Sequence, residues 1–422
     1  MSQIAITLLL LVFAIVMFVW EKIPLAVTSM IVCLGLVVTR VIEPGDAFKG
    51  FIDSNVILFV AMFIIGGAFF ETGMANKIGG LVTKFAKTER QQIAAVMVVT
   101  GIMSGFLSNT GTAAVLIPVV IGIASRSGFH RSKLLLPLVF AAAMGGNLSL
   151  IGAPGNAFAQ TALQEIGLEF GFFEYALIGL PVLIVGILFF TTIGYKMLPV
   201  REPGDDSTFQ EKQDFSNVPA WKSWGSFVVL AITIICMIFE KQIGIKLHII
   251  GCIGAIILVL TGIITEKQAY KSIDMRTIFL MGGMLALANA LNSTGAGKAI
   301  ADTVLGLLGA NPSPFAILVA LFLISCILTQ FMSNTATTSM LVPIGISLAA
   351  SLNADPRAIM MALVIGGSCA YATPIGMPAN TMVYTAGGYK FIDYVKAGLP
   401  LVICSTIVSL ILLPIFFPFF PA

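Results

Sequence analysis

Ser108–Thr112 reads SNTGT and Ser333–Thr337 reads SNTAT, 225 residues apart, each opening an apolar run. Their hydroxyls and amides can both donate and accept hydrogen bonds. At the tip of a helical hairpin they begin a helix whose first N–H groups lack partners within it. That end carries roughly half a positive charge and attracts anions. Carbonyls and hydroxyls closing the preceding helix offer hard oxygen ligands to a cation. One such word is explained as well by a helix cap as by a binding site. Two at matching places favour binding.

A second pair of words lies further on. Ile151–Asn156 (IGAPGN) and Ile375–Asn380 (IGMPAN) stand 224 residues apart and set Gly, Pro and Asn inside long apolar segments. Non-helical backbone at membrane depth is tolerated only inside protein or against a watery cavity. Two more pairs keep the same order, Ala47–Asp53 with Ala269–Asp274 and Phe172–Pro181 with Phe391–Pro400. Four collinear pairs mark a duplicated chain. Symmetry then brings both SNT tips and both Gly-Pro breaks to one centre, where broken-helix transporters bind substrate.

Proton chemistry has little to work with there. Residues 91–125, 134–164, 312–354 and 358–389 contain no Asp, Glu, Lys, Arg or His. A buried proton relay needs such groups within the membrane. Anion charge must instead be balanced by helix ends, amides and a co-bound cation, and sodium is the cation expected.

The elements that hold these words follow from composition. The chain has 422 residues, 58% hydrophobic and only 10% charged. A soluble globule carries roughly 25% charged residues. This is an integral membrane protein. Ile4–Trp20, Pro24–Val41, Val56–Phe70, Ala176–Leu198, Phe227–Phe239, Ile249–Ile264, Ile278–Leu291 and Val395–Phe417 are the expected spans, since a crossing takes about 20 residues. Ile4–Trp20 lacks a cationic flank and a cleavage site, so it is expected to be retained. The six Cys sit in apolar runs without metal spacing and read as small buried hydrophobes. Neither His130 nor His248 has a ligand cluster beside it. No acid pair or activated nucleophile lies at membrane depth, so the protein is not expected to be an enzyme. A net charge of +3 gives no reason to expect a nucleic-acid partner.

Each half is expected to hold three helices, a re-entrant hairpin, a broken helix and a closing helix. The first half is residues 1–200, with its hairpin at 92–125 and broken helix at 134–164. The second is residues 223–422, with a hairpin at 315–351 and a broken helix at 358–387. Between them Arg201–Lys222 is polar and reads as a solvated linker. Five crossings per half, an odd number, turn the second half upside down. The expected fold is all-α and integral to the membrane, an inverted repeat with broken helices at the midplane. Lys77–Arg90 holds four basic residues and one acidic, Arg126–Lys133 adds three basic, and Glu165–Glu174 holds three acidic. The positive-inside rule then puts the linker in the cytoplasm and both termini outside a plasma (inner) membrane.

At these words the chain resembles the divalent anion:sodium symporter family (DASS, or INDY-type) of the ion transporter superfamily, over nearly its whole length. The paired SNT is the most specific mark. The resemblance implies a homodimer whose transport domains move as elevators against a scaffold. It implies one sodium site at Ser104, Ser108, Asn109 and the backbone near Gly152. The second would use Thr329, Ser333, Asn334 and the backbone near Ala372. Substrate would touch Ser108, Asn109, Thr110, Ser333, Asn334, Thr335, Thr373 and Pro374. The chain departs from the pattern at Gly111, where Ala is commoner, and in a first break without the usual Thr. For Ser104 and Thr329, a hydroxyl bonded within its own helix competes with the ligand role. The expected function is sodium-coupled uptake of a small divalent anion, either a C4-type dicarboxylate or a sulfate-like oxyanion. The alternatives are an anion exchanger, a proton-coupled organic-anion carrier and an ion channel.

Overall fold

The computed structural model describes residues 2–20, 22–83, 86–201, 215, 217–308 and 313–420. These residues form helices and no strands, and eighteen of the described helices have eight or more residues. Nine precede the linker: α1 (Gln3–Trp20), α2 (Leu25–Val38), α3 (Ser54–Glu71), α4 (Met74–Thr83), α5 (Glu89–Ser104), α6 (Asn109–Ser127), α7 (Arg131–Gly145), α8 (Pro154–Gln164) and α9 (Ala176–Thr191). Nine follow: α10 (Ala220–Ile238), α11 (Leu247–Leu260), α12 (Met275–Thr294), α13 (Ala296–Leu308), α14 (Pro314–Leu328), α15 (Asn334–Leu352), α16 (Pro356–Gly367), α17 (Pro378–Ala386) and α18 (Phe391–Phe416). In order and kind, α10 matches α1 and so on to α18 and α9.

Seven described helices are long and apolar enough to cross a membrane: α1, α3, α6, α10, α12, α15 and α18. The expected spans fall on α1, α2, α3, α9, α10, α11, α12 and α18. Two helices, α4 and α13, escape the sequence reading. Asn76 and Lys77 in one, and Lys298 and Asp302 in the other, interrupt any apolar run that would announce them. Close packing holds α2 to α12. A Cβ on Gly283 would lie 2.7 Å from the Ser29 carbonyl oxygen, and the Ser29 hydroxyl donates to the Phe279 carbonyl at 3.0 Å.

The first hairpin is α5 and α6, joined by residues 105–108, and it runs from 89 to 127 instead of 92 to 125. A capping box between Thr88 and Gln91 starts α5 early. Gly128, with φ +72°, stops α6 late, in the left-handed conformation that glycine adopts freely. Lys133 at the start of α7 pairs with Glu89 at the start of α5, 3.1 Å apart. The outer ends of α5 and α7 therefore share one face. The 15 residues of α7 rise about 22 Å. The hairpin tip meets the break where α7 ends, and α8 continues beyond it. The second hairpin, α14 and α15, meets the break between α16 and α17 in the same way. Each hairpin also leans on the other half, α6 packing against α17 and α15 against α8.

Of the polar stretch Arg201–Lys222, residues 202–214 and 216 lie outside the described residues. Arg201 is held by Asp393 at the start of α18, with Nε to Oδ2 at 2.9 Å and Nη2 to Oδ1 at 2.6 Å.

Candidate functional site

Each SNT serine caps its helix. Ser108 Oγ accepts from the Gly111 N–H at 3.1 Å and Ser333 Oγ from the Ala336 N–H at 3.2 Å. The asparagines that follow turn back into the gap between hairpin and break. The end of the Asn109 amide lies 2.7 Å from Ser104 Oγ, 3.1 Å from the Ala142 carbonyl oxygen and 3.2 Å from that of Gly152. Ser104 Oγ, fully buried, also donates to Ala142 O at 2.7 Å. This carbonyl belongs to α7, so the competing bond within α5 is not the one formed.

The second half repeats the arrangement. The end of the Asn334 amide lies 2.8 Å from Thr329 Oγ1, 3.2 Å from Gly367 O and 3.3 Å from Gly376 O. Thr329 Oγ1 donates to Gly367 O at 2.6 Å. In both nests a hydroxyl, two carbonyls and an amide converge. Amide orientation is a matter of hydrogen-bond logic. With nitrogen inward, the amide donates to all three neighbours. With oxygen inward, the single hydroxyl proton can serve the amide oxygen (2.7 Å from Ser104, 2.8 Å from Thr329) or one carbonyl, and the remaining oxygens face one another without a donor unless a cation lies among them. Ligands about 2.4 Å from a hard cation sit about 3.4 Å apart in an octahedron. Rotating one amide thus exchanges a hydrogen-bonded nest for a set of oxygens that could hold a cation.

The breaks are braced by the other repeated words. Asn156 Nδ2 donates to Gly146 O (3.0 Å) and Ser149 O (2.7 Å). Asn380 Nδ2 donates to Ala370 O (2.8 Å) and Thr373 O (3.0 Å). From the closing helices, Tyr175 OH donates to Asn156 O at 3.0 Å and Tyr394 OH to Asn380 O at 2.6 Å. Four residues on from each tyrosine comes a glycine that lets the break approach. A Cβ on Gly179 would lie 2.1 Å from Asn147 O, and one on Gly398 would lie 2.0 Å from Tyr371 O. The two breaks touch where Ser368 Oγ donates to Asn147 Oδ1 at 3.0 Å.

Several expected residues take other places. The partner of Gly152 is Gly376, not Ala372, whose N–H donates to Gln330 Oε1 at 2.9 Å. Thr373 is buried, its hydroxyl donating to Gln330 O and accepting from the Gly376 N–H at 3.2 Å. Pro374 is buried, its carbonyl accepting from Thr381 Oγ1 at 2.9 Å. Both act as braces here. The missing Thr of the first break has a substitute, since Ser149 Oγ donates to Gly105 O as Thr373 does to Gln330 O. Thr110 and Thr335 stand partly exposed beside their asparagines. Gln330, Ala142, Gly367 and Gly376 escaped sequence reasoning. The 225-residue offset from Ala142 to Gly367, and the 224-residue offset from Gly152 to Gly376, were the available signal.

Apolar helices around two hairpin tips and two interrupted helices mark a multi-pass membrane protein, and the family and relatives that it matches are transporters, not enzymes. A family profile described as citrate transporter (CitMHS) matches residues 15–366 and 234–421. The chain belongs to that family, within the ion transporter superfamily. It is 28% identical over 422 residues to an uncharacterized transporter of Haemophilus influenzae, covering 95% of this chain and 90% of the relative. It is 24% identical over 406 residues to the sodium-dependent dicarboxylate transporter SdcS of Staphylococcus saprophyticus, covering 87% of this chain and 77% of the relative. Its fold is similar to that of the Alcanivorax borkumensis YdaH transporter, with a TM-score of 0.66 at 15% identity over 88% of this chain and 86% of that one.

Proposed function

We propose that the protein is a sodium-coupled importer of a small divalent anion, functioning as a DASS-type inverted-repeat homodimer by an elevator motion. One observation carries this reading. The oxygen nests at Asn109 and Asn334 recur in both halves, each at the start of a 19-residue helix. An inward amide oxygen gives each nest a sodium ligand set, and the helix ends supply positive potential to an anion. The Ser108, Thr110, Ser333 and Thr335 hydroxyls lie within a residue of these asparagines and are the groups nearest to such an anion along the chain. The dicarboxylate specificity of SdcS favours a C4-type substrate, and the name of the matching family favours citrate as a second reading. Basic loops favour a cytoplasmic linker and outer termini in the plasma membrane. The test is uptake of labelled succinate, sulfate and citrate into proteoliposomes, with and without sodium. Sodium-stimulated uptake of succinate or sulfate is expected. Sodium-stimulated uptake of citrate alone would favour the second reading, and sodium-independent flux of all three would reject both.

A further inference from the structure

The two halves differ at the outer end of α8. Asp53 caps α3, accepting from the Asn55 N–H at 2.8 Å, and also accepts from Thr161 Oγ1 on α8 at 3.1 Å. Asn55 Nδ2 donates to Thr161 Oγ1 and to Gln164 Oε1, each at 2.9 Å. Asn55 and Thr161 are buried, at 4% and 6% exposure. These bonds fasten α8 to α3 on the face opposite Glu89 and Lys133.

Their repeat partners are placed otherwise. Asp274 answers Asp53 in the AYKSID word, and Thr385 answers Thr161 at the offset relating Asn156 to Asn380. Asp274 spends its oxygens on its own helix, accepting from the Arg276 N–H at 3.2 Å, the Thr277 N–H at 3.4 Å and Thr277 Oγ1 at 2.7 Å. Thr385 is exposed, with Thr381 on the same side of α17, whereas their partners Thr161 and Ala157 are buried. On the elevator motion proposed above, a duplicated chain in such unequal surroundings would have a second arrangement in which the halves exchange roles. A carboxylate and a hydroxyl of the same kinds stand ready for it, and Arg276 offers more donors than Asn55.

We infer that Asp53, Asn55, Thr161 and Gln164 form a latch closing one face, and that Asp274, Arg276 and Thr385 form its counterpart when the other face closes. This rests on the elevator reading above. In this conformation the latched face is the acidic one, expected to be outside.

Paired cysteines test the latch in a protein whose six native cysteines, all free, have been replaced. Asn55→Cys/Thr161→Cys and Arg276→Cys/Thr385→Cys are exposed in native membranes to a short bis-methanethiosulfonate linker, and linking is read on gels. Both pairs are expected to link when separate, and linking the first should block the second when all four are present. Thr161→Val should raise linking of 276 with 385 several-fold, and Thr385→Val should raise linking of 55 with 161. Failure of 276 and 385 to link while 55 and 161 do, or linking of both pairs in one molecule, overturns the latch. Linking that neither valine variant moves also overturns it. No substrate or gradient enters the assay, so a protein that moves neither sodium nor a divalent anion is a separate result.

Discussion

In the proposed function Asn109 and Asn334 each face two tasks, presenting an oxygen to sodium and leaving the rest of the amide near the anion. Replacement by Asp keeps the shape but places a negative charge beside a divalent anion. At ~4 Å and an effective dielectric of ~20, each unit-charge pair costs about 4 kcal/mol. Even halved by sodium, that weakens anion binding more than tenfold, since about 1.4 kcal/mol is a factor of ten. Asn109→Asp and Asn334→Asp should therefore raise the apparent KM for succinate by more than tenfold. Sodium binding measured by calorimetry without substrate should survive better, because a carboxylate is still an oxygen ligand. Normal apparent affinity in both variants would reduce the paired words to helix caps. Gly146 offers an uncharged test. A Cβ there would lie 2.6 Å from Asn109 Oδ1, whereas one at Gly122 meets nothing closer than Arg126 Nη2 at 3.7 Å. Gly146→Ala should weaken sodium binding tenfold or more, and Gly122→Ala should leave it unchanged. At this scale the sequence pointed to the side chains of both nests and to the backbone near Gly152, but not to the carbonyls of Ala142, Gly367 and Gly376. Ala142 and Gly367 act through carbonyls that every residue carries, so residue type held no trace of them.

At the scale of elements the repeat words were legible because each has a mechanical reason. SNT begins a helix, Gly-Pro-Asn holds a break open, and Tyr with Gly four residues later seats the closing helix on that break. What the sequence hid was amphipathic or asymmetric. The helices α4 and α13 lack continuous apolar runs, and Gln330 has Gly105 as its partner, so no repeated word pointed to it. Titration gives a test of the contact between α8 and α3. Glu165, just beyond α8, has its pKa raised by loss of hydration and by the neighbouring Asp53 carboxylate. Because the folded chain holds that proton more tightly than the unfolded one, the stabilisation is present below the ordinary glutamate pKa. It is lost as pH rises through the raised value. Glu165→Gln should therefore raise the melting temperature at neutral pH and flatten its decline above the glutamate range. An unchanged pH profile would contradict the placement of these two acids.

For the whole molecule, the charged loops and the interior make separate claims. Arg90, Lys133, Tyr195 and Arg201 gather on one face through the contacts of Glu89 and Asp393, Arg90 and Lys133 stacking on the Tyr195 ring at 4.8 and 4.5 Å. That face is expected in the cytoplasm. An impermeant maleimide added to intact cells should label Ile166→Cys, which is 49% exposed on the opposite face, and should miss Asn217→Cys. The reverse pattern would invert the orientation. The interior claim is the central one: because residues 91–125, 134–164, 312–354 and 358–389 hold no Asp, Glu, Lys, Arg or His, the proposed driving ion is sodium. Labelled succinate, with sulfate alongside, is followed in proteoliposomes under an inward sodium gradient, and separately under a proton gradient in sodium-free buffer. Accumulation above equilibrium under the sodium gradient, with pH acting only through protonation of the anion, is the expected result. Accumulation driven by the proton gradient alone would contradict the account.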